Sequence, residues 1–156
     1  MGTIPKKTGF GSKRRTTEVM SGLVLGGHNL PTSLTFTFAQ NATQYGTECE
    51  IAVCNKDGQV IPGIHMLDLY LTDSATGEGV TATDPAGNVT AKAASGTVIQ
   101  IATAKKVFKA VTLSTGKFTL QILDDVTPVL LYVAAAIPGI GKIQVSRKTV
   151  AGDYKP

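Results

Sequence analysis

Two histidines, two cysteines and a few scattered acids are the side chains of this 156-residue chain that could carry catalysis. A nucleophilic site needs a serine or cysteine beside a base that a third group orients. His28 sits among glycines, and His65 opens an alternating run with Leu67, Leu69 and Leu71 on its own face. Neither has a nucleophile elbow or an oxyanion loop near it in sequence, so no enzyme is expected. Cys49 and Cys54 are five apart, which places them on opposite faces of a shared strand. A disulfide between them is not expected, and two cysteines without nearby histidines make no zinc site. Packed, reduced thiols are the expectation. Ser114-Thr115-Gly116-Lys117 resembles the end of a phosphate-binding loop, but Val111 stands where the first glycine belongs and Phe118 where the magnesium-binding hydroxyl belongs. A β-turn between two strands is expected there instead. Asp84, Asp124 and Asp125 lack the repeated oxygen spacing that calcium requires and read as turn residues. Asn41-Ala42-Thr43 and Asn88-Val89-Thr90 match glycosylation acceptors, which matter only in a secretory pathway. No cofactor and no metal are expected.

Charge is the next signal, and its location matters more than its total of +4. Lys6, Lys7, Lys13, Arg14 and Arg15 fall within the first fifteen residues, where there is no acid. The other ten Lys and Arg residues face eleven acids. The chain therefore reads as a near-neutral domain carrying a basic arm over residues 1–32. Such an arm cannot bury enough apolar surface to fold by itself, so it is expected to be disordered or ordered by a partner. Five cations would give nucleic acid a salt-sensitive, sequence-blind contact, but Phe10 alone could stack on a base. Gly, Thr and Pro dilute the charge, which favours docking on an acidic protein surface over nucleic acid. Arg14-Arg15 followed by Val19–Gly27 makes a poor export signal, because Ser21, Gly22, Gly26 and Gly27 break the apolar stretch. Val129–Ile140 is too short to span a membrane and holds Pro138 and Gly139.

The elements that would have to position any site are short and alternate with a period of two. Seventeen glycines, no tryptophan and abundant Thr and Val favour an all-β fold with many turns. Leu34, Phe36 and Phe38 share one face of a connecting strand within residues 33–46, which could cover a sheet edge of its own domain or of a neighbour. Strands are then expected at 47–54, 64–72, 79–83, 97–102, 106–113, 117–123, 129–136 and 142–149, most of them bounded by Gly, Pro, Asn or Asp. That number of strands over residues 47–150 predicts an immunoglobulin-like β-sandwich, with 151–156 left as a tail. Ile51, Val53, Leu67, Leu69, Leu71, Phe108, Leu120, Ile122, Leu131 and Val133 are the expected core.

Val53-x-Asn55-Lys56-Asp57-Gly58 and then Leu67-Asp68-Leu69-Tyr70-Leu71-Thr72-Asp73 begin an ordered series of motifs. Gly96-Thr97-Val98-Ile99-Gln100, Thr103-Ala104-Lys105-Lys106 and Leu113–Leu120 continue it, and Tyr132-Val133 with the Gly139–Val145 hairpin closes it. In this order the motifs resemble a family of small tailed-bacteriophage virion proteins, over about residues 47–149. The resemblance implies an immunoglobulin-like structural protein of the virion that decorates or cements the capsid. Its implied partners are the major capsid protein and neighbouring copies of itself. A tail or adaptor position is the alternative, as is a host-surface-binding module working through loops 73–79 and 84–96. Four tyrosines and no tryptophan leave few platforms for a sugar.

Overall fold

The computed structural model describes residues 30–156, of which Pro31–Pro156 form one compact unit. His28 and the five arm cations Lys6, Lys7, Lys13, Arg14 and Arg15 lie outside the described residues. Nine strands follow in chain order: β1 Ser33–Gln40, β2 Gly46–Cys54, β3 Met66–Thr72, β4 Val89–Ala91, β5 Thr97–Thr103, β6 Val107–Val111, β7 Lys117–Leu123, β8 Tyr132–Ala136 and β9 Gln144–Val145. A 3-10 turn at Ala151–Asp153 comes after them. The strands form two antiparallel sheets, ordered β1-β2-β7-β4 and β5-β6-β3-β8-β9. No helix among the described residues is long and apolar enough to cross a membrane.

Alternation builds the sandwich. Cys49, Ile51 and Val53 of β2 point inward, as do Leu67, Leu69 and Leu71 of β3 and Phe118, Leu120 and Ile122 of β7. These rows meet in one core shared by both sheets, and all ten expected core residues are buried in it. The outward rows of the same strands carry Glu48, Glu50, Asp68 and Lys117, which remain partly exposed. Register ties the two rows together, because pairing Ile51 with Phe118 and Leu69 with Phe108 fixes every outward neighbour as well. Asp68 thus stands opposite Lys109, whose ammonium lies 2.8 Å from its carboxylate.

β1 is an edge strand of the domain itself. It pairs with β2 along its whole length, from Ser33 opposite Cys54 to Gln40 opposite Thr47. Leu34 is buried, and Phe36 and Phe38 pack against the core. Of the six residues after Val150, Asp153 and Tyr154 are buried, and the Tyr154 hydroxyl donates to the Val129 carbonyl at 2.8 Å.

Three strand expectations need correction. Residues 79–83 form no strand. Gly77 and Gly79 turn the chain at positive φ, and the Asp73 carboxylate takes the Ala82 amide (2.9 Å) and the Thr81 hydroxyl (2.7 Å). The strand of this region is β4, in the loop expected at 84–96, where Val89, Thr90 and Ala91 pair with β7. The other two corrections share a cause. β8 begins only at Tyr132 and β9 holds only two residues, because the Leu131 and Val133 amides donate to the hydroxyls of Thr149 (3.0 Å) and Ser146 (2.9 Å). Side chains there occupy the place of ladder carbonyls, so residues 146–149 run beside β8 without being a regular strand.

Leu120 faces Cys49 across β7 and β2 and is fully buried. Leu120→Ala is expected to cost about 2–5 kcal/mol, from lost burial plus a residual cavity. Urea unfolding followed by far-ultraviolet circular dichroism measures it; a change under about 1 kcal/mol would mean the site collapses freely and is not core.

Candidate functional site

Several of the chemically suggestive side chains among the described residues have defined structural partners. The His65 ring nitrogen Nε2 lies 3.2 Å from the Ile61 carbonyl, and its backbone amide donates to the Thr112 hydroxyl at 2.9 Å. His65 is thereby part of the clasp between the start of β3 and the end of β6. Cys49 and Cys54 are both buried and unbridged. Cys49 belongs to the core row, and burial pushes its thiol well above the ordinary value even though Arg147 acts in the opposite sense. Cys54 faces the other way: its thiol lies 3.7 Å from the Ala52 carbonyl and 3.8 Å from the Thr35 hydroxyl.

The Ser114–Lys117 segment is the turn between β6 and β7. The Gly116 amide donates to the Leu113 carbonyl at 2.9 Å, with φ of 76° at Gly116. A Cβ there would lie 2.0 Å from the Ile61 carbonyl oxygen, so only glycine fits. Lys117 reaches the Glu50 carboxylate at 2.8 Å instead of aiming into a loop. Asp124 and Asp84 are similarly engaged. Asp124 is buried and accepts the amides of Ala86 (2.8 Å) and Val129 (2.9 Å), drawing two loops together. Asp84 pairs with Lys106 at 2.6 Å. Among the described residues no three His, Cys, Asp or Glu side chains cluster closely enough to hold a metal. Asn41 is buried, accepting the Thr43 amide and donating to Glu48, whereas Asn88 is exposed.

One side of the sandwich is closed by a contact that the sequence did not advertise. The Arg147 guanidinium meets Asp153 through two parallel bonds of 2.7 and 2.6 Å and lies 4.9 Å from the centroid of the Phe38 ring. The Gln144 amide oxygen accepts the Leu34 amide at 2.8 Å. Together these seal β1 against β9 and the C-terminal turn. A shallow depression of about 350 Å³ opens beside this closure, between Tyr45, Pro128, Tyr154 and Lys155. Burial pushes the Tyr154 phenol up to about 12, and its donated bond to Val129 leaves the depression with few converging polar groups.

The remaining surface of interest is the opposite side. β5 ends its sheet and runs seven residues, Thr-Val-Ile-Gln-Ile-Ala-Thr, without a charge. Ile99 is 50% exposed and Ile101 60%. Ile101 stands opposite Phe108 on the inward face, but β4, at the corresponding edge of the other sheet, has three residues against seven. The inward face of β5 therefore extends past its cover. Nothing in the alternation of residues 97–103 could have revealed this. No family model, curated protein or solved structure matches the chain.

Two measurements follow from these contacts. Neither thiol should react with a disulfide reagent in the native protein, and both should react in denaturant; rapid native labelling of Cys49 would contradict its burial. The Arg147 partnership holds the Asp153 carboxyl below the usual carboxylate range. A depressed folded-state value contributes stability that is complete above the unfolded carboxylate value and is lost as pH falls through the folded one. Asp153→Asn should therefore lower the melting temperature at neutral pH and flatten its decline below about pH 4, the unfolded range. Parallel acid limbs in the two proteins would show that the pair contributes nothing.

Proposed function

We propose that this chain is a structural protein of a tailed-bacteriophage virion that binds and stabilises the capsid shell, a decoration or cement protein with an immunoglobulin-like fold. Its partners in this reading are the major capsid protein and neighbouring copies of itself. The observation that carries it is the coincidence of the family-like motifs with successive structural elements. Asn55–Gly58 is the turn after β2, in which the Asn55 side chain accepts the Asp57 and Gln59 amides. Leu67–Thr72 lies within β3, Gly96–Gln100 opens β5, Thr103–Lys106 turns β5 into β6, and Tyr132-Val133 starts β8. Motifs that are weak singly gain weight when each falls on a turn or strand that needs it.

The immunoglobulin-like part of the reading is supported by strand order. β1-β2-β7-β4 against β3-β8-β9 follows the ABED and CFG arrangement of that sandwich. The β5–β6 hairpin is then an insertion between the fourth and fifth of those strands, and it widens the second sheet beside β3. A non-enzymatic role is supported by the partners of the candidate groups: His65 is bonded to the Ile61 carbonyl and Lys117 to Glu50. Physically, a folded body seated on a shell with a basic segment reaching an acidic neighbour makes contacts that are individually weak. Repetition over a closed lattice, and the linkage of body and arm in one chain, make them act at high effective concentration.

Cryo-electron microscopy of the particle whose genome encodes the chain tests this directly. Density for the sandwich at symmetry-related positions on the shell is expected; density confined to the tail would establish the adaptor alternative, and its absence from the particle would overturn the virion reading. Removing residues 1–15 should lower shell occupancy with little change in melting temperature. Binding of the intact chain should also weaken as salt rises, since exposed charge pairs are screened beyond about 8 Å at physiological ionic strength. Full occupancy by the shortened protein would rule out the arm as the docking element.

A further inference from the structure

We infer that β5 is the surface through which two copies of this chain meet, paired edge to edge and antiparallel about a two-fold axis at Gln100. The inference starts from how the four sheet edges are treated. β4 has three residues and β9 two, too short to template a partner strand. β1 is long, but Gln144 takes its Leu34 amide and its Gln40 side chain donates to the Gly152 carbonyl. β5 is long, and no described strand lies beyond it. Charge, proline and bulges are the usual protections of a free edge; Thr97–Thr103 has neither charge nor proline, and its two bulges are the one protection of this kind that it carries.

The partner is read from the order of residues along that edge. Thr97-Val98-Ile99-Gln100-Ile101-Ala102-Thr103 is nearly the same in both directions. Antiparallel pairing centred on Gln100 sets Thr97 opposite Thr103, Val98 opposite Ala102, Ile99 opposite Ile101, and Gln100 opposite itself. Two-fold contacts are isologous, so a residue on the axis meets its own copy and a charge there would repel itself. The axis position holds a neutral amide, which can both donate to and accept from its mate. Threonine pairs and β-branched aliphatic pairs are favourable across antiparallel strands. The half-exposed Ile99 and Ile101 lose water on pairing, and the sheets of the two copies become continuous.

The same strand carries the feature that would limit such pairing to two copies. Register shifts between Val98 and Gln100 and between Ile101 and Thr103 leave Ile99 and Ala102 as extra residues. Bulges bend and twist an edge away from extended stacking. A two-fold contact uses each β5 once and closes, whereas head-to-tail pairing of different edges would run on.

The inference deepens the shell-binding reading, on which it rests for its biological setting, by naming where copies join. Its measurement needs only the purified full-length chain, so loss of the dimer leaves shell binding standing and the converse holds as well. Sedimentation equilibrium of the wild type should show a reversible dimer. Gln100→Lys and Gln100→Glu should each weaken association about tenfold or more, because like charges meet across the axis, with the circular dichroism spectrum and melting temperature retained. Mixing the two variants should restore the dimer, since opposite charges then meet at the axis. A monomeric wild type overturns the inference, as it would if another segment of the same chain covered β5. So do single variants that dimerise as the wild type does, which would place the contact on another face. Failure of the mixture to recover overturns the two-fold register at Gln100.

Discussion

Burying one row of side chains from each strand is the constraint on which the rest of this molecule depends. Cys49, Ile51 and Val53 fill the space between the sheets together with Leu67, Leu69 and Leu71, Phe118, Leu120 and Ile122, and Val133 and Ala135. A slip of one residue in any pairing would turn a whole row to water and bring charged neighbours inside. Burial of each large apolar side chain is worth roughly 1.5–3 kcal/mol, so a slipped row of three forfeits an amount comparable with typical net stability. Registers follow from this, and the surface follows from the registers. Asp68 meets Lys109 directly across its strand pair and Glu50 reaches Lys117 diagonally across another, because the inward rows fix which outward residues are neighbours.

Where strands end, short polar side chains take over from the backbone ladder. Amides that leave a sheet still need acceptors. Asp73 supplies one for Ala82, Asp124 for Ala86 and Val129, and Asn55 for Asp57 and Gln59. Thr112, Ser146 and Thr149 use hydroxyls in the same way. Among the described residues every buried side-chain nitrogen or oxygen has a hydrogen-bond partner. Asp124, an acid that invites a metal-binding reading in a linear sequence, is in space a fastener of two loops.

Among the described residues the two sides of the sandwich are finished differently. Arg147, Asp153, Phe38 and Gln144 hold the β1 side shut, and Asp153 also takes the Val150 amide to shape the final turn. The β5 side keeps an uncharged strand with exposed isoleucines. The asymmetry arises because the β5–β6 hairpin widens one sheet while the facing sheet stops at the three residues of β4.

Period-two alternation is a local property, and it is enough to determine the all-β class, most strand positions and the full set of expected core residues. The turn at Gly116 and the opposed faces of Cys49 and Cys54 are legible for the same reason, since neighbouring residues dictate them. Pairing partners are not local. The sequence alone placed a strand at 79–83, because nothing near Val80 shows that the Asp73 carboxylate will take the amide and hydroxyl of Ala82 and Thr81. It extended two strands too far because Ser146 and Thr149 replace ladder carbonyls only once they lie beside β8. The symmetry of Thr97–Thr103 is visible to anyone reading the letters. That it is the last strand of its sheet among the described residues was decided by tertiary structure, because an edge is defined by which strands pair with which, and that depends on residues far away in the chain.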